Sequence, residues 1–411
     1  MITSGGMLDR ITEIRVEGLR TIARMTLRLG GLTVLIGENG SGKSSILEAC
    51  ELLRRAADER FLADFYEIHR GQLLLRRGCT QVRLGATIEG PLGKHPAVPM
   101  RYSLAVEPRS GGIVEESLLV DYPGHPQPFV VFQRTRPTAA LVFDGSKLQP
   151  RAADPLKHLL VDASGMFSPH EAIARVRAAL ASIEVHLPFE VLPTWAAQAH
   201  RRESEARGSV LVRPATQLRR LATNLPNVYL TLRNLGDEHW RTTMDYVRLG
   251  LGDWVEAVLT PPDPSGGTIG LTLKLRGVDD ALPAASLADG QLAFLALVGL
   301  FRLPGNGRRL LALDEPELHL HPRLIVRLVS MLEQLADSQP VLVATHSDRF
   351  LDALQDAAGV RVCELGEPDL ALRLRTLDPA ALRTWVDDYR GLGDLRSAGM
   401  LAPVLREEPE P

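Results

Sequence analysis

The 411-residue sequence predicts an α/β fold with a mixed sheet, an antiparallel β subdomain and a helical insertion. Three observations carry that prediction. First, the largely apolar run Leu32-Thr33-Val34-Leu35-Ile36 leads straight into the glycine-rich Gly37–Ser45, GENGSGKSS. Helical spacing follows at Ile46, Leu47, Ala49, Cys50, Leu53, Ala56 and Ala57, so the unit reads strand, loop, helix. Second, Arg309–Leu313 and Val341–Ala344 are short apolar runs ending in polar residues, as in parallel strands buried on both faces. Third, Val82–Ile88, Arg101–Val106, Ile113–Val120 and Phe129–Phe143 are β-type runs parted by clusters such as GPLGKHPAVP and DYPGHPQP, an antiparallel pattern.

Along the chain, Ile11–Leu29 alternates apolar and polar residues around GLRT, a β-hairpin leading into the loop-bearing strand. The helix after the loop is expected to run from Ser45 to Arg60. Helical patterns recur at Glu171–Ile183, Gln217–Leu235 and Trp240–Leu259, the last ending at the linker-like PPDPSGG, before Leu271–Leu275 resumes a strand. Ser286–Phe301 opens on cap-type residues and is apolar on nearly every side, a buried helix with free N–H groups at Asp289, Gly290 and Gln291. The expected division is 1–80 and 271–365 for the two parts of a nucleotide core, 81–150 for the antiparallel region, 151–270 for the helical insertion and 366–411 for a helical tail. Sustained heptads and repeats of fixed period are absent, which excludes a long coiled coil or a solenoid.

Composition bounds the class. With 45% hydrophobic and 24% charged residues the chain has the balance of a soluble globular protein. Its longest uncharged apolar run, Leu292–Phe301, is about half of what a bilayer requires, and the N-terminus lacks a basic stretch followed by an apolar one, so a cytoplasmic protein without a membrane partner is expected. Cys50, Cys79 and Cys363 are odd in number and scattered, which argues against a disulfide framework or a zinc site and for buried fillers. A net charge of −3 gives no overall support for nucleic-acid binding. Only Lys43, Lys94, Lys147, Lys157 and Lys274 are lysines, however, and arginines cluster at 201, 202, 207, 213, 219 and 220, a candidate phosphate or partner contact.

The chemistry starts in the loop. Gly37, Gly40 and Gly42 let the backbone turn N–H groups, with Asn39, Ser41 and Ser45, around a phosphate chain, and the helix N-terminus faces the same phosphates. Lys43 reaches the outer phosphates and Ser44 offers a hydroxyl to magnesium. This P-loop is a nucleoside-triphosphate site. Asp314-Glu315-Pro316-Glu317 stands at the carboxyl end of a core strand, where α/β sheets open to ligands. Asp314 is positioned to hold Mg2+, and Glu315 to orient the attacking water. Thr345-His346-Ser347-Asp348 ends a second core strand and places His346 on the same edge. His319 and His321, two apart beside Glu317, invite a metal reading that the loop's position disfavours.

The order GENGSGKSS, LADGQ, LLALDEPELHLHP, VATHSD resembles the ABC-type ATPases, and within them the RecF-like and OLD-like (AAA_15/AAA_21) proteins, with SMC proteins as more distant kin. GLRTI is similar to the family's stretch ahead of the P-loop, and WVDDYRGLGDLRSAGML to the tail of its stand-alone members. The resemblance implies a P-loop ABC-ATPase head that forms a head-to-tail homodimer. ATP held by Lys43 and Ser44 of one subunit is then capped by Asp289, Gly290 and Gln291 of the other. Glu315 is the implied general base, His346 the γ-phosphate sensor, and Arg20 a further phosphate contact. Ala288 departs from the family's usual serine, a loss of one hydrogen bond worth about 1.5 to 3 kcal/mol. No Q-loop stands out between Gln72 and Gln133.

Three jobs compete on this resemblance. A transporter subunit is disfavoured by the roughly 240 residues between Lys43 and the signature and by missing membrane-coupling features. An OLD-type nuclease needs a Toprim domain, for which the roughly 65 residues after His346 are too few. The favoured expectation is a slow stand-alone ATPase whose ATP-bound dimer is read by DNA or by a separately encoded effector, in anti-phage defence or DNA repair. The alternative is an ATP-dependent scaffold that dimerises with little turnover.

Overall fold

The computed structural model describes residues 9–165, 169–191, 205–264, 266–304, 307–378, 380–382 and 391–407. Its centre is a seven-stranded sheet in the order Ile183–His186, Leu310–Asp314, Val341–Ala344, Leu32–Gly37, Val360–Gly366, Ala371–Leu377, Leu405–Glu407. The first five strands are parallel and the last two antiparallel, so the sheet is mixed.

Alternation along these strands explains why they read as unbroken apolar runs. Leu35, Leu310, Ala312, Leu342 and Ala344 point into one core, while Val34, Ile36, Leu311, Leu313, Val341 and Val343 point into the other. Both faces are covered, so the strands are mostly apolar, with Thr33 and His186 as buried polar exceptions. The first core holds the P-loop helix Lys43–Arg55 together with an eight-stranded antiparallel sheet. The second holds the signature helix Asp289–Arg302, of which nine residues are buried, and the helices of the insertion.

Several elements differ from expectation for identifiable reasons. The expected hairpin forms as Arg10–Leu19 and Ile22–Arg28, and it joins Val82–Leu92 in the antiparallel sheet. The P-loop helix stops at Arg55 instead of Arg60, because the Asp58 carboxylate accepts the Arg60 N–H at 2.9 Å and closes a turn before Phe61–Glu67 begins. Helix Glu171–Ala181 ends before Ile183, which opens the outermost parallel strand. The expected Gln217–Leu235 helix runs only from Leu225 to Asn234, since Pro226 in its first turn fixes the start. Trp240–Leu259 divides into helix Asp237–Leu251 and strand Val255–Leu259, parted by Gly252 at φ 109°.

The tail is not simply helical. It opens with strand Ala371–Leu377, and Leu405–Glu407 pairs with that strand after the short helix Leu392–Ser397. Residues 385–390 of the tail motif, and Arg201 and Arg202 of the arginine cluster, lie outside the described residues. Of the cysteines, Cys50 and Cys363 are buried fillers as expected, while Cys79 is half-buried.

Candidate functional site

Register assembles the site. Asp314 pairs with Ala344, and Ala344 with Leu35, so three neighbouring strands end level. The ladder continues one step beyond them, with Glu315 N donating to Ala344 O at 2.8 Å and Thr345 N to Leu35 O at 3.0 Å. Asp314, Glu315, His346 and the P-loop therefore leave the same sheet edge side by side.

The P-loop needs its glycines for close approach. A Cβ on Gly37 would stand 2.2 Å from the Cys363 carbonyl and 2.8 Å from Ser41 Oγ, and one on Gly42 2.8 Å from Thr21 Oγ1. Gly42, at φ 111°, precedes a helix whose first turn carries neither a side-chain cap nor an acid, which leaves its N–H groups open to an anion. Glu38, Asn39, Gly40 and Ser44 are exposed, whereas Ser41, Lys43 and Ser45 are buried. Lys43 Nζ donates to the carbonyls of Gly37 and Glu38, each at 2.9 Å. Burial lowers its pKa, against the nearby Cys363, Asp314 and Glu315.

The residues present fit a magnesium-bearing nucleotide. Burial and Glu315 raise the pKa of the Asp314 carboxylate, against Lys43 and the nearby Ser44 hydroxyl. A carboxylate held up in this way is one that a cation would bring down. Among the described residues no group of three His, Cys, Asp or Glu is placed to hold a metal. His319 and His321 gain no ligand set, and His321 instead caps helix Pro322–Ala336 by accepting from Arg323 N.

Glu315 is held at φ 42°, a left-handed conformation that costs a non-glycine residue about 1 to 2 kcal/mol. Its Oε1 lies 3.6 Å from His346 Nε2. Burial and then Lys43 lower the His346 pKa, with Glu315 opposing, which keeps the imidazole neutral at pH 7. Arg396, from the tail, donates from Nη1 to His346 O and to Asp348 Oδ1, each at 3.1 Å, and pins this loop.

One participant was missed from the sequence. Glu317 Oε1 accepts from the Thr345 hydroxyl beneath the loop, while its buried Oε2 has no partner among the described residues. Burial raises its pKa, as do Glu315 and Asp314. Nothing in DEPE distinguishes this inward carboxylate from the outward Glu315.

The signature stands apart from the P-loop. Ala288 is the N-cap and has no side-chain acceptor, so only half of a capping box forms: Gln291 Oε1 accepts from Ala288 N at 3.0 Å. The Gln291 N–H is itself taken up by Ala288 O at 3.0 Å, so it is not the free donor expected. Gly290 is required because a Cβ there would meet the His319 carbonyl at 2.6 Å. Asp289 points to its own subunit, its Oδ1 accepting from Arg207 Nη2 at 2.7 Å.

The remaining candidates divide. Arg20, at φ 49° on the hairpin tip, pairs with Glu48 of the P-loop helix at 2.8 Å, so its guanidinium is engaged beside the loop. Gln72 is exposed in the short helix Gly71–Leu74, and Gln133 is exposed in the antiparallel sheet opposite Ser117 and Leu141. Among the described residues no helix is long and apolar enough to cross a membrane.

The chain is similar to known proteins in sequence and in fold. The AAA_21 family model, described as "AAA domain, putative AbiEii toxin, Type IV TA system", matches residues 32–352. The chain is 36% identical over 80 residues to the DNA replication and repair protein RecF of Gloeobacter violaceus, a match spanning 19% of this chain and 21% of that relative. A crystal structure of the SmcHead bound to the C-winged helix domain of ScpA aligns with TM-score 0.52 at 13% identity, over 89% of this chain and 97% of that one. The Smc head domain with an extended coiled coil bound to the C-terminal domain of ScpA, from Pyrococcus furiosus, aligns with TM-score 0.52 at 12% identity, over 93% and 100%. These two likenesses are of fold. With the family model spanning the P-loop, the signature, the acidic strand and the His346 loop, the chain belongs to the AAA_21 family.

Proposed function

We propose that this ATPase works as a dimeric switch, closed by ATP and reset by hydrolysis, that controls engagement of DNA or of a separately encoded effector. One observation carries the reading: Lys43, Ser44, Asp314, Glu315 and His346 leave neighbouring strands at one sheet edge. Lys43 exchanges the carbonyls of Gly37 and Glu38 for phosphate oxygens. Ser44 and Asp314 would hold Mg2+, which would supply positive charge to offset that developing on the phosphates in phosphoryl transfer. Glu315 accepts a proton from the attacking water, and neutral His346, 3.6 Å away, donates toward the γ-phosphate. The proton ends on Glu315 and leaves to solvent as phosphate departs.

The signature of a second copy completes the site, Asp289, Gly290 and Gln291 facing the partner's nucleotide in a head-to-tail homodimer. The relatives support an output by protein or DNA: the aligned Smc heads are described as bound to ScpA domains, and the RecF relative as a replication and repair protein. Anti-phage defence and DNA repair are the settings this reading offers.

A second reading, an ATP-dependent scaffold with little turnover, is favoured by Ala288, which can offer no hydroxyl to the nucleotide. Steady-state ATPase assays with and without DNA separate the two. Hydrolysis by the wild type, lost in Glu315→Gln while ATP binding persists, excludes the scaffold. Equal inertness of both excludes the enzyme.

A further inference from the structure

The stretch Gly208–Asn227 builds a separate cavity of about 800 Å³ in the insertion. Two buried asparagines organise its wall. Asn224 Oδ1 accepts from Arg219 N at 2.8 Å while its Nδ2 donates to Gln217 O at 3.0 Å. Asn227 Oδ1 accepts from Arg213 N at 3.1 Å while its Nδ2 donates to Leu211 O at 2.9 Å. The Thr231 hydroxyl accepts from Ala215 N at 2.9 Å. The loop is thus pinned along its length, and its ordering entropy is already spent before any ligand arrives.

The pinning sets Arg213 and Arg219, both exposed, into the same cavity. Hydroxyl and amide side chains of Ser209, Thr216, Gln217 and Thr223 complete its polar lining. Among the described residues that line it there is no carboxylate and no aromatic ring. In a chain of net charge −3, two guanidiniums with no acid between them make a local positive potential. Without a ring to stack on, a ligand is held by its phosphates rather than by a base.

Arg207 bolts this wall to the signature. Its guanidinium is 1% exposed and donates to Val191 O at 3.0 and 2.7 Å, to Ala284 O at 2.8 Å, to Leu287 O at 2.7 Å and to Asp289 Oδ1 at 2.7 Å. A shift of the loop next to it therefore reaches the first residue of the signature helix directly.

We propose that the cavity binds a phosphate ester through Arg213 and Arg219, and that Arg207 transmits its occupancy to Ala288–Gln291. The phosphate can belong to a nucleic-acid strand or to a free nucleotide. The transmission half deepens the proposed switch and rests on the signature's role there; the binding half stands without it.

The test uses the full chain with the P-loop filled by saturating ADP. Two probes are titrated at low salt: a short fluorescein-labelled DNA strand by anisotropy, and inorganic pyrophosphate by calorimetry. At least one should bind, and the double variant Arg213→Gln/Arg219→Gln should weaken it at least about tenfold and flatten its salt dependence. Binding of DNA alone identifies the strand as the source, and binding of pyrophosphate, with or without DNA, identifies a free phosphate group. No binding of either probe by the wild type, or unchanged binding by the double variant, overturns the site. Transmission is read by amide hydrogen exchange at Ala288–Gln291: the bound probe should alter it in the wild type but not in Asp289→Ala. An unaltered wild type, or an equal response in Asp289→Ala, overturns the coupling. Neither readout requires turnover, so an inert enzyme would sink the proposed switch and leave this inference to its own result.

Discussion

In the proposed switch the sheet edge and the signature are two halves of one site, and they are built on opposite plans. At the edge, groups of opposite character already meet within one chain: Lys43 is bound to loop carbonyls, Ser44 lies near Asp314, and His346 lies beside Glu315. At the signature, every side chain with a partner turns back toward its own subunit: Asp289 to Arg207 and Gln291 to Ala288 N. The first half is organised around something that will arrive between its groups. The second is a preset segment whose partnered side chains are held from behind. The difference teaches that nucleotide contacts in cis can be optimised residue by residue, whereas the cap depends on how rigidly the signature is presented.

The predictions follow that contrast. The largest effect belongs to the edge: Lys43→Ala removes charge-assisted bonds to phosphate and should weaken ATP binding by about one to two powers of ten in a fluorescent-nucleotide titration. An unchanged affinity would mean that the half-site is not the nucleotide's main anchor.

Next comes the signature. Ala288→Ser restores a side-chain N-cap worth about 1 kcal/mol to helix stability and supplies the missing hydroxyl, so ATP-dependent association should tighten about tenfold by sedimentation. Thermal stability rising without tighter association would confine the effect to the cap.

His346 gives a pH test of the edge. Because burial lowers its pKa below 6.5, the folded protein binds fewer protons there than the unfolded chain does. The stability tied to the neutral imidazole is fully present above 6.5 and is lost as pH falls from 6.5 through the lowered value, where the folded imidazole itself takes up its proton. Turnover should stay level as pH drops through 6.5 and decline only below it, and His346→Gln should remove that decline.

The smallest effect concerns Glu317. Its raised pKa makes the folded state bind more protons between 4.5 and the raised value, so stability falls as pH rises through that window. Glu317→Gln removes a buried carboxylate with one unpartnered oxygen, worth about 1 kcal/mol and roughly 2 °C in melting temperature at neutral pH. The gain should shrink toward pH 4.5.

The two halves were not equally legible. The edge follows from local signals, since glycine spacing, unbroken apolar strands and terminal acids each report on their own neighbourhood, and strand register brings them together. Some local signals were available but outweighed: Pro226 marks the start of its helix, and Gly252 divides helix from strand, yet helical periodicity extended both elements too far. Short strands such as Ile183–His186 and Val255–Leu259 are too brief for periodicity to separate from the helices before them. The Arg207–Asp289 pair joins residues 82 positions apart, and nothing local in either residue announces the other. Arg207, read in sequence as part of a basic cluster, is a buried structural arginine, while Arg213 and Arg219 stay exposed beside it.

The central claim is that the signature half is completed only by a second copy. Sedimentation of Glu315→Gln, which should bind ATP without consuming it, tests this most directly. The account predicts a monomer without nucleotide and a dimer with saturating ATP and Mg2+, dispersed again by Lys43→Ala. A protein that remains monomeric with saturating ATP, while a fluorescent nucleotide shows the P-loop to be full, would contradict it.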